Sequence, residues 1–289
     1  MSPSERSAST SSLPELAVTG ATGRVGGLVA RELAGDGIPL RLLARRPEAA
    51  PQLPDAVVVE AEYADDERTR AALDGVRTLF LVSGAENADR LAQHYAVIDA
   101  AAAAGVEHVV YTSFFAAADD AVFTLARDHA ATERHIRASG MSHTFLRDDF
   151  YLDFFAHLPG EDGVIRGPAG SGRVAAVAQA DVARTAAAIL RDPAAHAGAT
   201  YDLTGPESLT LDEVAGILSA STGRSITFHD ETLDEAYASR ASYGAPDWQV
   251  EAWVSTYTAI AAGELDGVTD AVERVTGRPP LSLRELLAD

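Results

Sequence analysis

The chain contains no cysteine and no lysine, and its charge is strongly one-sided. Without cysteine there are no disulfides, no thiolate nucleophiles and no cysteine-ligated metals. That absence fits a reducing cytosol, and a cytoplasmic location is the expectation. Without lysine, all 23 basic residues are arginine, and every mechanism that depends on a lysine side chain is removed. The 43 acidic residues leave a formal net charge of −20 and a pI near 4.7. Most of such a surface repels a phosphate backbone, so nucleic-acid binding is not expected. Long apolar runs are missing too. No stretch approaches the ~18 apolar residues of a membrane span, and the alanine-rich segment 96–106 reads as a buried helix. The first 13 residues, MSPSERSASTSSL, are polar and lack the apolar core of a signal peptide, so they read as a disordered tail.

What is present suffices for a core. The 289 residues are 47% hydrophobic, enough for one large domain or two unequal ones. From Glu15 to Arg147 apolar runs of strand length alternate with helical patterns. Strands are read at 15–20, 39–45, 56–62, 78–84, 107–113 and 142–147, with helices at 24–37, 66–76, 87–106 and 123–140. That alternation predicts an α/β fold: a doubly wound parallel sheet of the Rossmann type with right-handed crossovers. After Arg147 the order loosens. Segment 149–158 reads as a short aromatic helix, a helix is expected to start at Asp181, and 200–205 reads as a strand. Beyond residue 209 the chain is mostly helical, with Thr210, Thr232 and Ser282 as N-cap candidates. The expected division is a dinucleotide-binding domain at 14–150, with return segments near 174–205, and a smaller substrate-binding region at 151–289.

The first strand runs into AVTGATGRVGG, residues 17–27. Gly20, Gly23 and Gly26 have the Gly-x-x-Gly-x-x-Gly spacing of a dinucleotide fingerprint. Gly20 permits a tight turn, Gly23 lets the backbone approach a pyrophosphate, and Gly26 allows close helix packing. The following helix offers unpaired N–H groups to an anion. The whole loop, with Thr22, Arg24 and Val25 between the glycines, is therefore a candidate cofactor site. The second strand ends in LLARRPE, without the acid that bonds the ribose 2′-OH of NAD. Arg45 and Arg46 suit a 2′-phosphate instead, which favours NADP(H), with Arg45 directly after the strand as the better candidate. Ligands of such sheets sit beyond the carboxyl ends of the strands. There Asp65 is placed to reach the adenine edge, and Ser83 and Gly84 to line the adenosine ribose.

The glycine loop, the YTS strand end and the ASGMSHTFLR segment resemble the atypical short-chain dehydrogenase/reductases of the NmrA-like group. The nearest branch is that of type 2 NAD(P)H:quinone oxidoreductases and triphenylmethane reductases. The resemblance runs from about Ala17 to the C-terminal GRPPLSLRELL, and DHAATERHIRASG with TFLRDDFY is its more specific part. Ordinary short-chain dehydrogenases carry a Tyr and a Lys four residues apart on one helix. By position, Leu125 replaces the Tyr and His129 the Lys, as the resemblance implies for the quinone reductase branch. A ketone needs a strong proton donor because its alkoxide is a very strong base. Quinones and conjugated or cationic dyes accept hydride without one, provided the reacting carbon is held about 3–3.5 Å away.

The resemblance thus implies an NADPH-dependent oxidoreductase that transfers hydride to a quinone-like or conjugated aromatic acceptor. Two alternatives stay open: a non-catalytic NADP(H)-sensing regulator, and a biosynthetic reductase of a polyketide-type aromatic. His129, Tyr111 and Tyr151 are the candidate catalytic residues. Ser113 and Phe150 join the cofactor contacts, the latter beside the nicotinamide by resemblance. Tyr111 and Ser113 end a strand where either hydroxyl would orient an acceptor; a core Tyr and an ordinary Ser fit equally well. Many relatives carry Asn at the position of Asp148, and this chain departs there. Phe154, Phe155, Tyr237, Tyr243, Trp248 and Trp253 suit a flat apolar substrate if they face the cleft. The eight histidines show no metal-ligand spacing and no HExxH, so no metal is expected. There is no Gly-x-Ser-x-Gly elbow for a hydrolase. Partners and oligomeric state are left open.

Overall fold

A computed structural model describes residues 13–288. The tail expected at 1–13 lies, up to residue 12, outside them. The chain opens with β1 (Leu16–Thr19), α1 (Arg24–Gly35), β2 (Leu40–Ala44), β3 (Ala56–Glu60), α2 (Glu67–Leu73), β4 (Thr78–Leu81), α3 (Arg90–Ala103), β5 (His108–Phe114), α4 (Thr124–Ala138) and β6 (Ser142–Asp148). Next come α5 (Leu152–Phe155), β7 (Val164–Gly167), β8 (Arg173–Val174), α6 (Gln179–Arg191) and β9 (Thr200–Leu203). It closes with β10 (Leu209–Thr210), α7 (Leu211–Thr222), β11 (Thr227–Asp230), α8 (Leu233–Arg240), α9 (Asp247–Ala261), α10 (Ala271–Thr276) and α11 (Leu283–Leu286).

Seven strands form one parallel sheet in the order β3-β2-β1-β4-β5-β6-β9. From β1 the chain winds outward through β2 and β3. It then returns to β4 and winds the other way, so the switch point lies between β1 and β4. This is the expected doubly wound Rossmann sheet. Its central strands are buried on both faces, which is why they read as continuous apolar runs rather than alternating ones. Two short strand pairs, β7 with β11 and β8 with β10, stand outside it.

Strand alternation divides the core. Leu146 of β6 faces the layer of α1 and α6, with Val29, Leu33, Val182 and Ile189. Its neighbour Phe145 faces α3 and α4, with Val97, Ile98, Tyr111 and Ile136. A third cluster, including Ile165, Val214 and Ile260, gathers the small strands and later helices. Two buried charges tie elements together. Arg41 of β2 donates to the carbonyls of Ala72 and Asp74 at 2.8 and 2.7 Å, closing the end of α2. Glu133 of α4 accepts from Arg147 of β6 through Nε and Nη2, both at 2.8 Å.

The three expected caps are all capping boxes: Thr210 with Glu213, Thr232 with Glu235, and Ser282 with Glu285. Each is worth about 0.5–2 kcal/mol. The helix expected to start at Asp181 starts earlier, at Gln179. Asp181 sits in its first turn, where its carboxylate accepts from the Leu281 N–H at 2.6 Å and from Arg184 at 2.8 Å. Among the described residues no helix is long and apolar enough to cross a membrane.

Candidate functional site

The glycine loop turns at the carboxyl end of β1. Gly20 has φ +64°, a conformation that side-chain-bearing residues rarely adopt, and its carbonyl accepts the Gly23 N–H at 2.8 Å. A Cβ on Gly26 would stand 2.5 Å from the Gly20 carbonyl oxygen and 2.6 Å from that of Thr19. Helix α1 therefore approaches the strand end as closely as backbone allows. Gly23 caps α1 without any side-chain bond, and no acid stands in the first turn. The helix N-terminus is left to an anion, and its dipole favours one.

A cavity of about 570 Å³ opens over this loop, lined by Gly20, Thr22, Arg45, Tyr63, Ser83 and Gly84, with Glu62 on its wall. Arg45 follows β2 and is exposed. Arg24 is two-thirds exposed and meets Asp153 at 3.3 Å. Val25 is buried in the core under α1 and fixes the loop from beneath. Asp65 is placed differently from the expectation: it bonds Arg70 at 2.7 Å and does not line the cavity. An uncapped helix end, a glycine turn and an arginine beyond β2 fit a dinucleotide.

A second cavity, about 810 Å³, adjoins the first at Glu86, which lines both. Its walls include Phe123, Phe150, Phe154, Tyr243, Trp253 and Tyr257. Phe150 thus lies on this aromatic side. Phe155 belongs to the core, and Tyr237 and Trp248 do not line the cavity.

The matching family model is that of the NmrA-like family, over residues 14–244. The chain belongs to the NmrA-like family. It is 33% identical over 277 residues to quinone oxidoreductase 2 of Escherichia coli, covering 93% of this chain and 96% of that one. That protein's structure with NADPH superposes with a TM-score of 0.87 at 32% identity, covering 94% of this chain and 98% of that chain. The triphenylmethane reductase of Citrobacter sp. with NADP(H) gives 0.83 at 32% identity, covering 95% and 99%. A (4-alkanoyl-5-oxo-2,5-dihydrofuran-3-yl)methyl phosphate reductase of Streptomyces griseus is 37% identical over 278 residues, covering 94% and 96%.

In this NmrA-like protein His129 is buried and lines neither cavity, held in a network the sequence did not reveal. Arg90 Nη2 donates to His129 Nε2 at 2.9 Å, and Tyr111 Oη stands 3.0 Å from Nδ1. A guanidinium only donates, so His129 carries its proton on Nδ1 and gives it to Tyr111. Arg90 also donates to the Gly84 carbonyl at 3.0 Å and meets Asp128 at 3.3 Å. The Gly84 N–H in turn donates to His94 Nε2 at 2.8 Å, and His94 Nδ1 meets Thr132 Oγ1 at 2.9 Å. Burial, aided by the Arg90 charge, pulls His94 down to about 3 and His129 well below its ordinary value. Both rings are neutral at neutral pH.

This placement corrects two expectations. Tyr111 is fully buried, its hydroxyl engaged by His129. Ser113 is buried, and its hydroxyl donates to Glu133 at 2.6 Å. Both residues point into the α3–α4 layer, so neither hydroxyl reaches an acceptor. Tyr151 is half-buried on the opposite face, packed against the cluster that holds Val25, and donates to Asp148 Oδ2 at 2.9 Å. Tyr63 was also missed. It stands 2.7 Å from Thr19 Oγ1 and donates to the Val82 carbonyl, bracing the loop after β4.

Proposed function

We propose that this NmrA-like oxidoreductase uses NADPH to reduce a quinone-like or conjugated aromatic acceptor. The observation that carries the reading is the pair of adjoining cavities. One is built on the glycine loop and Arg45, the other is walled by six aromatic rings, and Glu86 borders both. Bound NADPH supplies a hydride. The chain's part is to hold the two molecules in register and to exclude water from between them. Residues 14–150, with the return segments near 174–205, form the cofactor side of this reading, and 151–289 form most of the acceptor side. Rings such as Phe150 and Trp253 stack on a flat acceptor. Gly84, gripped by Arg90 and His94, gives the cofactor a rigid wall. The buried His129 acts through that wall.

The acceptor cavity is larger than a simple benzoquinone requires, which favours a bulkier conjugated product as a second reading. Both are tested by NADPH oxidation with purified protein, using simple quinones, dyes and larger polycyclic quinones. Acceptor-dependent oxidation supports the reductase, and faster turnover with the bulky acceptors favours the second reading. Tight NADPH binding with no turnover on any acceptor overturns both in favour of a cofactor-sensing protein.

A further inference from the structure

Helix α9 turns three side chains at helical spacing, Trp253, Thr256 and Tyr257, onto the 810 Å³ cavity. Tyr257 is held there from two elements. Gly167 of β7 makes room for it: a Cβ at Gly167 would overlap Cγ, Cδ1 and Cε1 of the ring. The Arg240 guanidinium of α8 lies over the same ring, 5.2 Å from its centroid.

Arg240 is itself locked in place. Its Nη1 donates to Glu231 Oε2 at 2.8 Å, to the Ala236 carbonyl at 2.9 Å and to Ser239 Oγ at 3.0 Å, and its Nη2 donates to the Arg166 carbonyl at 3.1 Å. A guanidinium offers only donors, so it can take nothing from the Tyr257 hydroxyl.

The hydroxyl of Tyr257 therefore keeps its hydrogen to give. It has no acceptor among the described residues, yet it is not sealed in as the unpartnered atoms of Arg41, Asp148, Asp149 and Glu207 are. It is open to whatever fills the cavity its residue lines. Other polar side chains of that wall are engaged. Ser239 and Thr256 donate to the Ala236 and Ala252 carbonyls, both at 3.1 Å, and Arg166 is paired with Asp162 at 2.6 Å. Burial raises the Tyr257 hydroxyl above its ordinary value, against the pull of Arg240, so it stays protonated at neutral pH.

We infer that Tyr257 reads the acceptor: its hydroxyl donates to a carbonyl oxygen on the conjugated ring system lodged among the cavity's aromatic side chains. The inference rests on the reductase reading and narrows its acceptor to a conjugated carbonyl compound. A carbonyl oxygen gains negative charge as hydride reaches the ring it is conjugated with. A fixed donor with a cation beside it then binds that oxygen more tightly than in the ground state, and so favours transfer. A conjugated cation without oxygen has nothing to accept this bond.

The experiment compares wild type with Tyr257→Phe, which keeps the ring on Gly167 and beneath Arg240 and breaks no bond that the O–H makes to the described residues. Its urea midpoint and its Kd for NADPH are expected to match wild type. Steady-state NADPH oxidation is measured with 2-methyl-1,4-naphthoquinone and with crystal violet, a cationic dye that contains no oxygen. Binding of the naphthoquinone to NADP⁺-saturated protein is titrated alongside. The variant is expected to lose about 10-fold in kcat/KM for the naphthoquinone, with kcat falling more than KM rises, and to lose nothing on the dye. Unchanged naphthoquinone kinetics and affinity overturn the inference. Losses of equal size on both acceptors, or a lowered urea midpoint, overturn it in favour of a packing role. If wild type oxidises NADPH with neither acceptor, the reductase reading falls and the titration still decides: weaker naphthoquinone binding in Tyr257→Phe upholds the contact, and equal or absent binding removes it.

Discussion

Arg90 holds His129 from a different helix, its Nη2 donating to the ring Nε2 at 2.9 Å. The resemblance aligns His129 with the lysine of ordinary short-chain dehydrogenases, and in this fold a guanidinium from α3 stands against its ring. The guanidinium also fixes the Gly84 carbonyl on the cofactor side. Replacing Arg90 by glutamine leaves buried acceptors without donors, at about 1–3 kcal/mol each. Arg90→Gln is therefore expected to lower stability by that order in urea denaturation and to weaken NADPH binding. It also removes a charge that depresses His129. The His129 ring should then titrate at higher pH, which an NMR titration reads directly. An unchanged His129 titration would count against the pairing.

Arg45 tests the choice of cofactor. It is the arginine that lines the dinucleotide cavity directly after β2. A charge-assisted bond to a 2′-phosphate is worth about 1.5–3 kcal/mol. Arg45→Ala is expected to raise the Kd for NADPH by about 10- to 100-fold while leaving that for NADH nearly unchanged. Equal losses for the two would remove the 2′-phosphate role.

How much of this was legible beforehand depended on where each residue's partner lies. The sheet was readable because buried parallel strands are short apolar runs, and the glycine turns marked their ends. The start of α6 was misjudged because Asp181 looks like a local cap, whereas one of its bonds goes to Leu281, 100 residues on. The burial of Tyr111, a catalytic candidate, and of Ser113, a cofactor-contact candidate, came down to a single parity. Sequence shows that residues 111 and 113 share a face, but not that α3 and α4 cover it. Arg90 and His94 left a usable signal. Spaced four apart on α3, they continue the buried stripe of Val97 and Ala101, so two polar residues were aimed at the core. Asp148 was noticed only as a departure from Asn. Its isolation from any cation needed the fold.

Gly26 and Gly35 lie on the same helix and should respond oppositely to alanine. At Gly26 a Cβ meets two backbone carbonyl oxygens at 2.5 and 2.6 Å, atoms that cannot rotate away. Overpacking of this kind costs about 1–3 kcal/mol or more. Gly26→Ala is expected to lower the unfolding midpoint and displace the loop, so NADPH binding falls with it. At Gly35 nothing stands within 4 Å of the new carbon. Gly35→Ala should raise stability by up to about 1 kcal/mol and leave NADPH affinity unchanged. A Gly26→Ala variant with wild-type stability and affinity would contradict the close approach of α1 to β1.

Stability should fall on both sides of a pH optimum, for separate reasons. His94 and His129 are depressed in the folded state. Their contribution is complete above the unfolded value of about 6.5 and is lost as pH falls below it, because the unfolded chain then binds protons the folded one refuses. Asp149 is raised from 3.8 to about 8. The folded state keeps a proton that the unfolded state has released, so its contribution is complete below about 4 and is lost as pH rises from there to about 8. Asp149→Asn keeps the shape and the neutral side chain but cannot titrate. It is expected to make the decline between about pH 6.5 and 8 shallower, a part remaining because Asp148 is raised too, and to move the optimum upward, read as urea midpoints across that range. The acid-side decline should remain, since it belongs to the histidines. An alkaline limb as steep in Asp149→Asn as in wild type would mean that Asp149 is already ionised in the folded protein.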